Sequence, residues 1–143
     1  MLFEDVTIAV QPCAAAPKDE SPVLCFQPGQ VLLVEKEGVP CLPVYRQVKP
    51  LLPEGTVLIA LLTADGQAVF TPDPLGDEVI PQGNGLSYGP MRLFREMDCR
   101  SGAVLTAAHH LWQWMRRNRF CGGCGGRMEH DGAERALRCP ACG

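Results

Sequence analysis

Cys121-Gly-Gly-Cys124, fourteen further residues and Cys139-Pro-Ala-Cys142 make up the stretch of this 143-residue sequence that decides its fold. Two Cys-x-x-Cys pairs at this spacing are typical of a four-cysteine metal site, because each pair turns both of its sulfurs toward one ion. Asp131-Gly132 lies between the pairs and predicts a two-residue hairpin turn. We therefore predict a zinc ribbon, with the metal ligands Cys121, Cys124, Cys139 and Cys142.

The chemistry of such a site is structural. Four thiolates around one ion leave no position for water or substrate, so the metal contributes folding free energy rather than catalysis. Zinc is the expected ion, and rubredoxin-type iron is the alternative, because four thiolates suit either metal and Cys139-Pro-Ala-Cys142-Gly143 also resembles a rubredoxin loop. Two disulfides are disfavoured, because paired cysteines in a sequence without a signal peptide indicate a reducing compartment.

Composition and charge narrow the class of protein. The sequence is 46% hydrophobic and 20% charged, which is ordinary for a soluble globular protein. No apolar run approaches the ~20 residues that span a bilayer, and we expect a cytoplasmic protein.

Residues 1–99 carry 6 Lys and Arg against 13 Asp and Glu, whereas residues 100–143 carry 7 Arg against 3 acids. Four thiolates on a divalent ion add about −2 to the second part, which argues against a nucleic-acid surface.

The residues before the cysteine array predict an antiparallel sheet. Met1 to Val10 alternates between apolar and polar positions, as a half-buried strand does. Pro28-Gly29 separates the apolar runs 23–27 and 30–35, and Asp65-Gly66 is a strong hairpin signal. Further strands are expected over residues 41–47, 56–63, 67–71 and 86–88.

Helical patterns occur only in the last third of the chain. Met91 to Met97 predicts two turns, and Ser101 is the expected cap of a longer helix from about Ala103 to Arg119. Its last-turn arginines, Arg116, Arg117 and Arg119, are expected to be solvated and to offset the helix dipole. The apolar residues at helical spacing predict a buried stripe of Val104, Ala107, Ala108, Leu111, Trp114 and Met115.

The remaining reactive side chains form no recognisable site. His109 and His110 are adjacent and point in different directions, so we expect histidines at the helix surface or core edge rather than metal ligands. No Gly-rich phosphate loop, Ser/His/Asp set or paired carboxylates occur, so no catalytic or cofactor-binding residue is predicted. Four cysteines lack paired spacing and are expected to be inert thiols, namely Cys13, Cys25, Cys41 and Cys99.

A family resemblance rests on the junction between the helix and the array. The predicted helix ends in arginines and carries a tryptophan a few residues earlier. It is followed by Arg119-Phe120-Cys121-Gly122-Gly123-Cys124-Gly125 and later by Cys139-Pro-Ala-Cys142. This combination resembles the NADH pyrophosphatases (NAD diphosphatases) of the Nudix superfamily. The specific match runs from about Leu111 to Gly143. The resemblance implies a degenerate Nudix-like domain over residues 1–119 and a zinc ribbon over 120–143. The expected fold class is α+β, a mainly antiparallel sheet with one or two helices followed by a C-terminal zinc ribbon.

The catalytic motif of that family has no counterpart here. Its box reads G-x5-E-x7-R-E-U-x-E-E-x-G-U, where U is a bulky apolar residue and the glutamates bind Mg²⁺ or Mn²⁺. The nearest segment, Arg95 to Ala103, places Cys99 and Arg100 where two of the glutamates belong, and Ser87 stands at the earlier one. We therefore expect those ions only in a catalytic Nudix domain that this sequence lacks, with the ribbon truncated at its C-terminal end.

The resemblance also implies a function. The full enzymes are homodimers that split NADH or NAD into nicotinamide mononucleotide and AMP, and related members remove NAD caps from RNA. We expect this chain to scaffold and dimerise such an enzyme and to be inactive alone. The alternative is a free-standing ribbon that binds nucleic acid or a protein partner, to which Arg127, Arg135 and Arg138 point. The acidic first part and the lack of an aromatic residue between the cysteine pairs argue against nucleic acid. Electron transfer by an iron centre is a third hypothesis.

Overall fold

The structure, a computed structural model, describes residues 6–10 and 15–143 and has the predicted α+β fold, with mostly antiparallel strands and few helices. The helical segments are α1 (Tyr45–Val48), α2 (Cys99–Arg117) and the 3₁₀ turns Lys49–Leu51 and Met91–Glu96. The strands are β1 (Ile8–Ala9), β2 (Phe26–Gln27), β3 (Gln30–Lys36), β4 (Val39–Cys41), β5 (Leu58–Ala64), β6 (Gln67–Pro72), β7 (Leu86–Pro90), β8 (Glu129–His130) and β9 (Leu137–Arg138).

Two sheets form the body of the molecule. One has the order β1-β5-β6, and in the other β3 pairs with β2, β4 and β7, all antiparallel. The predicted hairpin at Asp65-Gly66 is confirmed, and both residues have the positive φ that a two-residue hairpin turn requires, 51° and 82°. Phe70 joins the sheets, because its N–H donates to the Pro22 carbonyl at 2.9 Å and its carbonyl accepts from the Leu24 N–H at 2.8 Å.

Strand β5 carries an irregularity that becomes important below. Its register with β6 shifts between Ala60 and Leu62, so Leu61 is an extra residue on the β5 side. A bulge of this kind interrupts the ladder of hydrogen bonds and turns backbone groups away from the partner strand. The Leu61 side chain is nevertheless fully buried in the core.

Helix α2 covers one face of the sheets. Val104, Leu105, Ala108 and Met115 are buried and belong to the same apolar cluster as Leu61. Burying such side chains contributes about 1.5–3 kcal/mol each relative to leaving them exposed. A second cluster, which includes Val23, Leu32, Phe70 and Ile80, contains no residue of α2.

The predicted helix stripe is right except at one aromatic residue. Val104, Ala108 and Met115 are buried, but Trp114 is 37% exposed. Trp114 points about 100° away from its neighbour Met115 around the helix axis, and at this end of α2 that direction lies at the edge of the buried face. Trp112 contacts the core instead, with its ring centroid 5.4 Å from that of Phe26.

The cap predicted for α2 is wrong by three positions. Asp98 is the N-cap, and its side chain accepts hydrogen bonds from the Ser101 N–H at 2.8 Å and the Ser101 hydroxyl at 3.0 Å. Asp98 therefore begins the helix, because a carboxylate both satisfies a free N–H and favours the positive end of the dipole. The helix ends at Arg117, before the predicted Arg119.

The strand expected over residues 41–47 is also wrong beyond Cys41. Strand β4 ends there, and Tyr45–Val48 forms the short helix α1. The Gln47 side chain accepts the Val44 N–H at 2.9 Å, a local bond that favours a helical turn over an extended strand. The predicted first strand is represented by β1, and residues 1–5 of that prediction lie outside the described residues.

Within residues 6–10 and 15–143, no helix has the length and apolar character that crossing a bilayer requires.

We predict that Asp98→Ala destabilises the protein by about 1 kcal/mol, the usual effect of losing an N-cap side chain. Ser101→Ala should have a smaller effect, because it removes the hydroxyl but keeps the N–H that Asp98 accepts. Urea unfolding of the two variants and the parent protein measures this difference. Equal losses in the two variants would contradict the assignment of the cap.

The same cap should make stability depend on pH. The backbone N–H of Ser101 lowers the pKa of Asp98 from its ordinary value of 3.8. The carboxylate therefore stabilises the fold above pH 3.8, and this contribution is lost as the pH falls through the lower folded pKa. The difference between parent and Asp98→Ala should shrink in that range, and Asp98→Asn, which keeps an acceptor but cannot ionise, should remove the pH-dependent part.

Candidate metal centre

Four cysteine sulfurs converge at the carboxyl-terminal end of the described chain. The ligand atoms of Cys121, Cys124, Cys139 and Cys142 all lie within 4.8 Å of one another. Across the two pairs, the Sγ atoms of Cys121 and Cys142 are 4.0 Å apart and those of Cys124 and Cys139 are 3.5 Å apart. Tetrahedral zinc with Zn–S bonds of about 2.3 Å places its sulfurs about 3.8 Å apart. Bonded sulfurs would lie about 2.05 Å apart, so the geometry is that of an ion site.

Backbone N–H groups near the cysteines donate hydrogen bonds to their sulfurs. N–H groups of Gly123, Gly126 and Cys142 each donate to the sulfur of a preceding cysteine at 3.3, 3.4 and 3.3 Å. Donors aimed at sulfur favour the thiolate over the thiol. The first turn is closed by the Cys121 N–H, which donates to the Gly126 carbonyl at 2.7 Å, and by Gly125 at a φ of 75°, a conformation that favours glycine.

The thiols of the cluster differ in acidity. Backbone hydrogen bonds from Cys124 and Gly123 lower the pKa of Cys121 to about 6. Hydrogen bonding to the neighbouring sulfurs, that of Cys124 first, raises the pKa of Cys142 to about 12. Protons are thus shared unevenly among four crowded sulfurs, and a divalent ion would replace them, since thiols that coordinate a metal are deprotonated.

The hairpin between the cysteine pairs is real, but its predicted two-residue turn is wrong. Strands β8 and β9 pair His130 with Leu137, which leaves residues 131–136 as the loop. The Asp131 carboxylate accepts the N–H groups of Ala133 and Glu134 at 2.7 and 3.2 Å. These local bonds stabilise a wider loop, and Gly132 does not adopt the positive φ that a tight hairpin turn needs.

The ribbon is bonded to one loop of the sheet domain, residues 73–78, which we call the docking loop. His130 Nε2 lies 2.8 Å from Asp73 Oδ1. The guanidinium of Arg127 donates to the Leu75 carbonyl and to Asp77 Oδ2, both at 2.6 Å. Burial alone would raise the pKa of Asp73, but bonds from His130 and the Leu75 N–H outweigh it and leave the pKa lowered. Asp73 is therefore held as a carboxylate.

The end of α2 reaches the same loop. Arg116 donates to the carbonyls of Pro74 at 3.0 Å and Gly76 at 2.6 Å, and Arg119 lies 3.6 Å from Asp77. The prediction that these arginines are simply solvated is wrong for Arg116 and Arg119. Sequence reasoning missed this contact because the loop and the arginines are far apart in the chain and only the fold brings them together.

Among residues 6–10 and 15–143, the other candidate residues form no second cluster of metal ligands. His109 stacks against Trp112 with ring centroids 6.1 Å apart, and burial lowers its pKa. Burial raises the pKa of the Cys25 thiol to about 12, as an inert thiol requires. Cys13 lies outside the described residues. Arg100, at a position of a Nudix-box glutamate, contacts Asp65 at 3.2 Å.

Comparison with known proteins agrees with this geometry. Residues 116–143 match the family described as the NADH pyrophosphatase zinc ribbon domain. The chain is 40% identical over 60 residues to the NAD-capped RNA hydrolase NudC of Pseudomonas aeruginosa (strain LESB58), an alignment that covers 41% of this chain and 22% of the relative. It is 34% identical over 80 residues to the enzyme of the same name from Stutzerimonas stutzeri (strain A1501), covering 55% of this chain and 28% of the relative. The chain thus spans about a quarter of these relatives, and the resemblance seen in the sequence is confirmed.

We predict that Cys121→Ser or Cys139→Ser abolishes stoichiometric zinc binding and lowers the thermal midpoint. Apparent zinc-binding free energies of about 10 kcal/mol or more act as folding energy in such sites. Metal content by elemental analysis and unfolding by calorimetry measure the two effects. Cys99→Ser, at the exposed start of α2, is the matched control and should keep the metal. Iron in place of zinc would give strong visible absorption.

Metal retention should weaken in acid. The unfolded thiol titrates near 9.0, and the pKa of Cys121 in the fold is about 6. Its thiolate therefore contributes fully to the stability of the fold above pH 9.0, and this stabilisation is lost as the pH falls through about 6. A zinc indicator added during a titration from about pH 8 to about pH 4 should report increasing release as the pH falls, because protons compete with the ion for the sulfurs. Unchanged retention at about pH 4 would contradict a site made of four thiolates.

Proposed function

We propose that this chain, whose residues 116–143 are a zinc ribbon of the NADH pyrophosphatase family, is the noncatalytic amino-terminal and ribbon portion of a Nudix NAD(H) diphosphatase. The observation that carries the proposal is that the family match falls on the segment whose four sulfurs converge. Cys121, Cys124, Cys139 and Cys142 would hold a structural zinc ion there. With all four positions taken by sulfur, zinc would stabilise the ribbon and leave the chemistry to other residues.

The hydrolytic chemistry is assigned to a separate catalytic domain. Two Nudix-box glutamate positions are held by Cys99 and Arg100, and the guanidinium of Arg100 contacts Asp65. A cationic side chain at such a position would repel Mg²⁺ or Mn²⁺ rather than bind it. Hydrolysis of NADH or NAD to nicotinamide mononucleotide and AMP, with those ions, would therefore take place in the catalytic domain.

The contribution of this chain would be positional. The ribbon contacts the docking loop through Arg127 and His130, and the end of α2 contacts it through Arg116. The bonds from Arg127 and His130 to this loop restrict the motion of the ribbon relative to the sheets. A domain that follows the ribbon would then be held in a defined place, and we propose that the assembly is a cytoplasmic homodimer.

We predict that the purified chain hydrolyses no NADH, even with Mg²⁺ or Mn²⁺. The reading frame after Gly143 should encode a Nudix domain of about 100 to 150 residues, and the joined protein should be active and sediment as a dimer. Product formation is followed by chromatography of AMP. Turnover by the chain alone would contradict the proposal, and so would a following frame that lacks the Nudix box.

A second candidate function, binding of single-stranded nucleic acid, is favoured by one observation. Phe120, directly before the first cysteine, is 51% exposed, and the guanidinium carbons of Arg119 and Arg127 lie 5.5 and 5.1 Å from its ring centroid. An exposed ring among cations is a platform on which bases stack. Both arginines are, however, within ion-pair distance of Asp77, which weakens their attraction for phosphate.

Filter binding of single-stranded RNA at low salt separates the two candidates. We expect weak binding that Phe120→Ala does not change, with Trp114→Ala as the control for loss of another exposed aromatic side chain. Tight binding with a steep salt dependence, lost in Phe120→Ala alone, would favour the nucleic-acid function.

A further inference from the structure

At the tip of the ribbon hairpin, the side chain of Arg135 contacts the sheet domain. Its Nε donates to the Val10 carbonyl at 3.0 Å, and its Nη2 donates to the carbonyls of Ala60 at 2.8 Å and Leu61 at 3.0 Å. Three backbone acceptors on two segments of the sheet domain therefore converge on one guanidinium. Planar, fork-like donors make arginine the side chain best suited to such a contact.

Two of the three acceptors lie at the bulge in β5, and the third lies beside it. Ala60 and Leu61 lie at the point where the register between β5 and β6 shifts, and Val10 directly follows β1, the strand on the opposite edge of β5. At a bulge the regular ladder cannot satisfy every carbonyl, and buried carbonyls without donors are unfavourable. Arg135 donates to the sheet at this register shift, where the ladder is interrupted.

The other end of the same hairpin is the four-cysteine site. Cys139 directly follows β9, so an ion that binds the sulfurs fixes the base of the hairpin. Only two residue pairs, Glu129 with Arg138 and His130 with Leu137, hold β8 to β9. A hairpin this short is not stable alone in water. Its order therefore depends on further contacts, which are the cysteine site at its base, the His130–Asp73 bond and the packing of Leu137 along its strands, and Arg135 at its tip.

We propose that Arg135 is a latch through which metal occupancy of the four-cysteine site controls the order of the sheet at the β5 bulge. With the ion bound, the hairpin is rigid and presents the guanidinium to the three carbonyls. Without the ion, the base of the hairpin is released although His130 still bonds Asp73, and the tip no longer holds the guanidinium against the three carbonyls. Linkage makes the effect reciprocal, so the docked Arg135 must also strengthen metal retention.

Hydrogen exchange on the full chain tests the first half of the proposal, with samples loaded with zinc, treated with chelator and refilled with zinc. Chelation should speed exchange in β1 and around Leu61 and Leu62 by about tenfold or more, as local opening does. Exchange around Leu32, in the other sheet, should stay slow. In Arg135→Gln the bulge should exchange fast even with zinc bound, and chelation should add little.

Arg138→Gln is the matched control, because it removes the same charge from the same hairpin at a position directly beside Cys139. Competition with a zinc chelator tests the reciprocal half. Arg135→Gln should lose zinc about fivefold or more readily than the parent, whereas Arg138→Gln should retain it. Arg135→Lys, which keeps the charge but not the planar fork, should behave like Arg135→Gln.

Three results would overturn the latch. One is unchanged exchange around Leu61 when zinc is removed from the parent protein. Another is an equal rise in exchange across both sheets, which would mean global unfolding rather than local release. The third is equal zinc loss from Arg135→Gln and Arg138→Gln, which would trace the effect to charge near the sulfurs.

Discussion

Convergence of four sulfurs is the constraint on which the carboxyl-terminal part of this protein depends. The segment from Cys121 to Gly143 is too small to bury an apolar core, and its hairpin has two residue pairs. Small units of this kind are ordered by a metal or by disulfides rather than by hydrophobic burial. The backbone N–H groups that point at the sulfurs belong to the same turns that position the cysteines. The turns and the ion site therefore stabilise one another.

The ribbon is bonded to the sheet domain at two places. The docking loop accepts donors from Arg127 and His130 of the ribbon and from Arg116 near the end of α2, and the β5 bulge accepts donors from Arg135 of the ribbon. Most of these acceptors are backbone carbonyls. Their positions depend on the path of the chain more than on which side chains the accepting residues carry.

Several elements could be predicted because their signals are local. Asp65-Gly66 determines its hairpin through two residues with positive φ, and the spacing of Val104, Ala108 and Met115 determines the buried face of α2. The errors arose where two local signals compete. Asp98, and not Ser101, is the N-cap of α2. In the ribbon hairpin, backbone N–H groups donate to the Asp131 side chain and stabilise a wider loop than the predicted two-residue turn.

The sequence by itself determined the four cysteines that could hold an ion, the antiparallel character of the sheet and the resemblance to the NADH pyrophosphatases, because spacing and short turns are properties of neighbouring residues. Only the tertiary structure decided that Arg116 and Arg127 meet the docking loop and that Arg135 reaches the β5 bulge. These contacts join segments that are 40 to 125 residues apart. No local sequence pattern predicts contacts between segments so far apart in the chain, because these contacts follow from how the sheets and α2 pack.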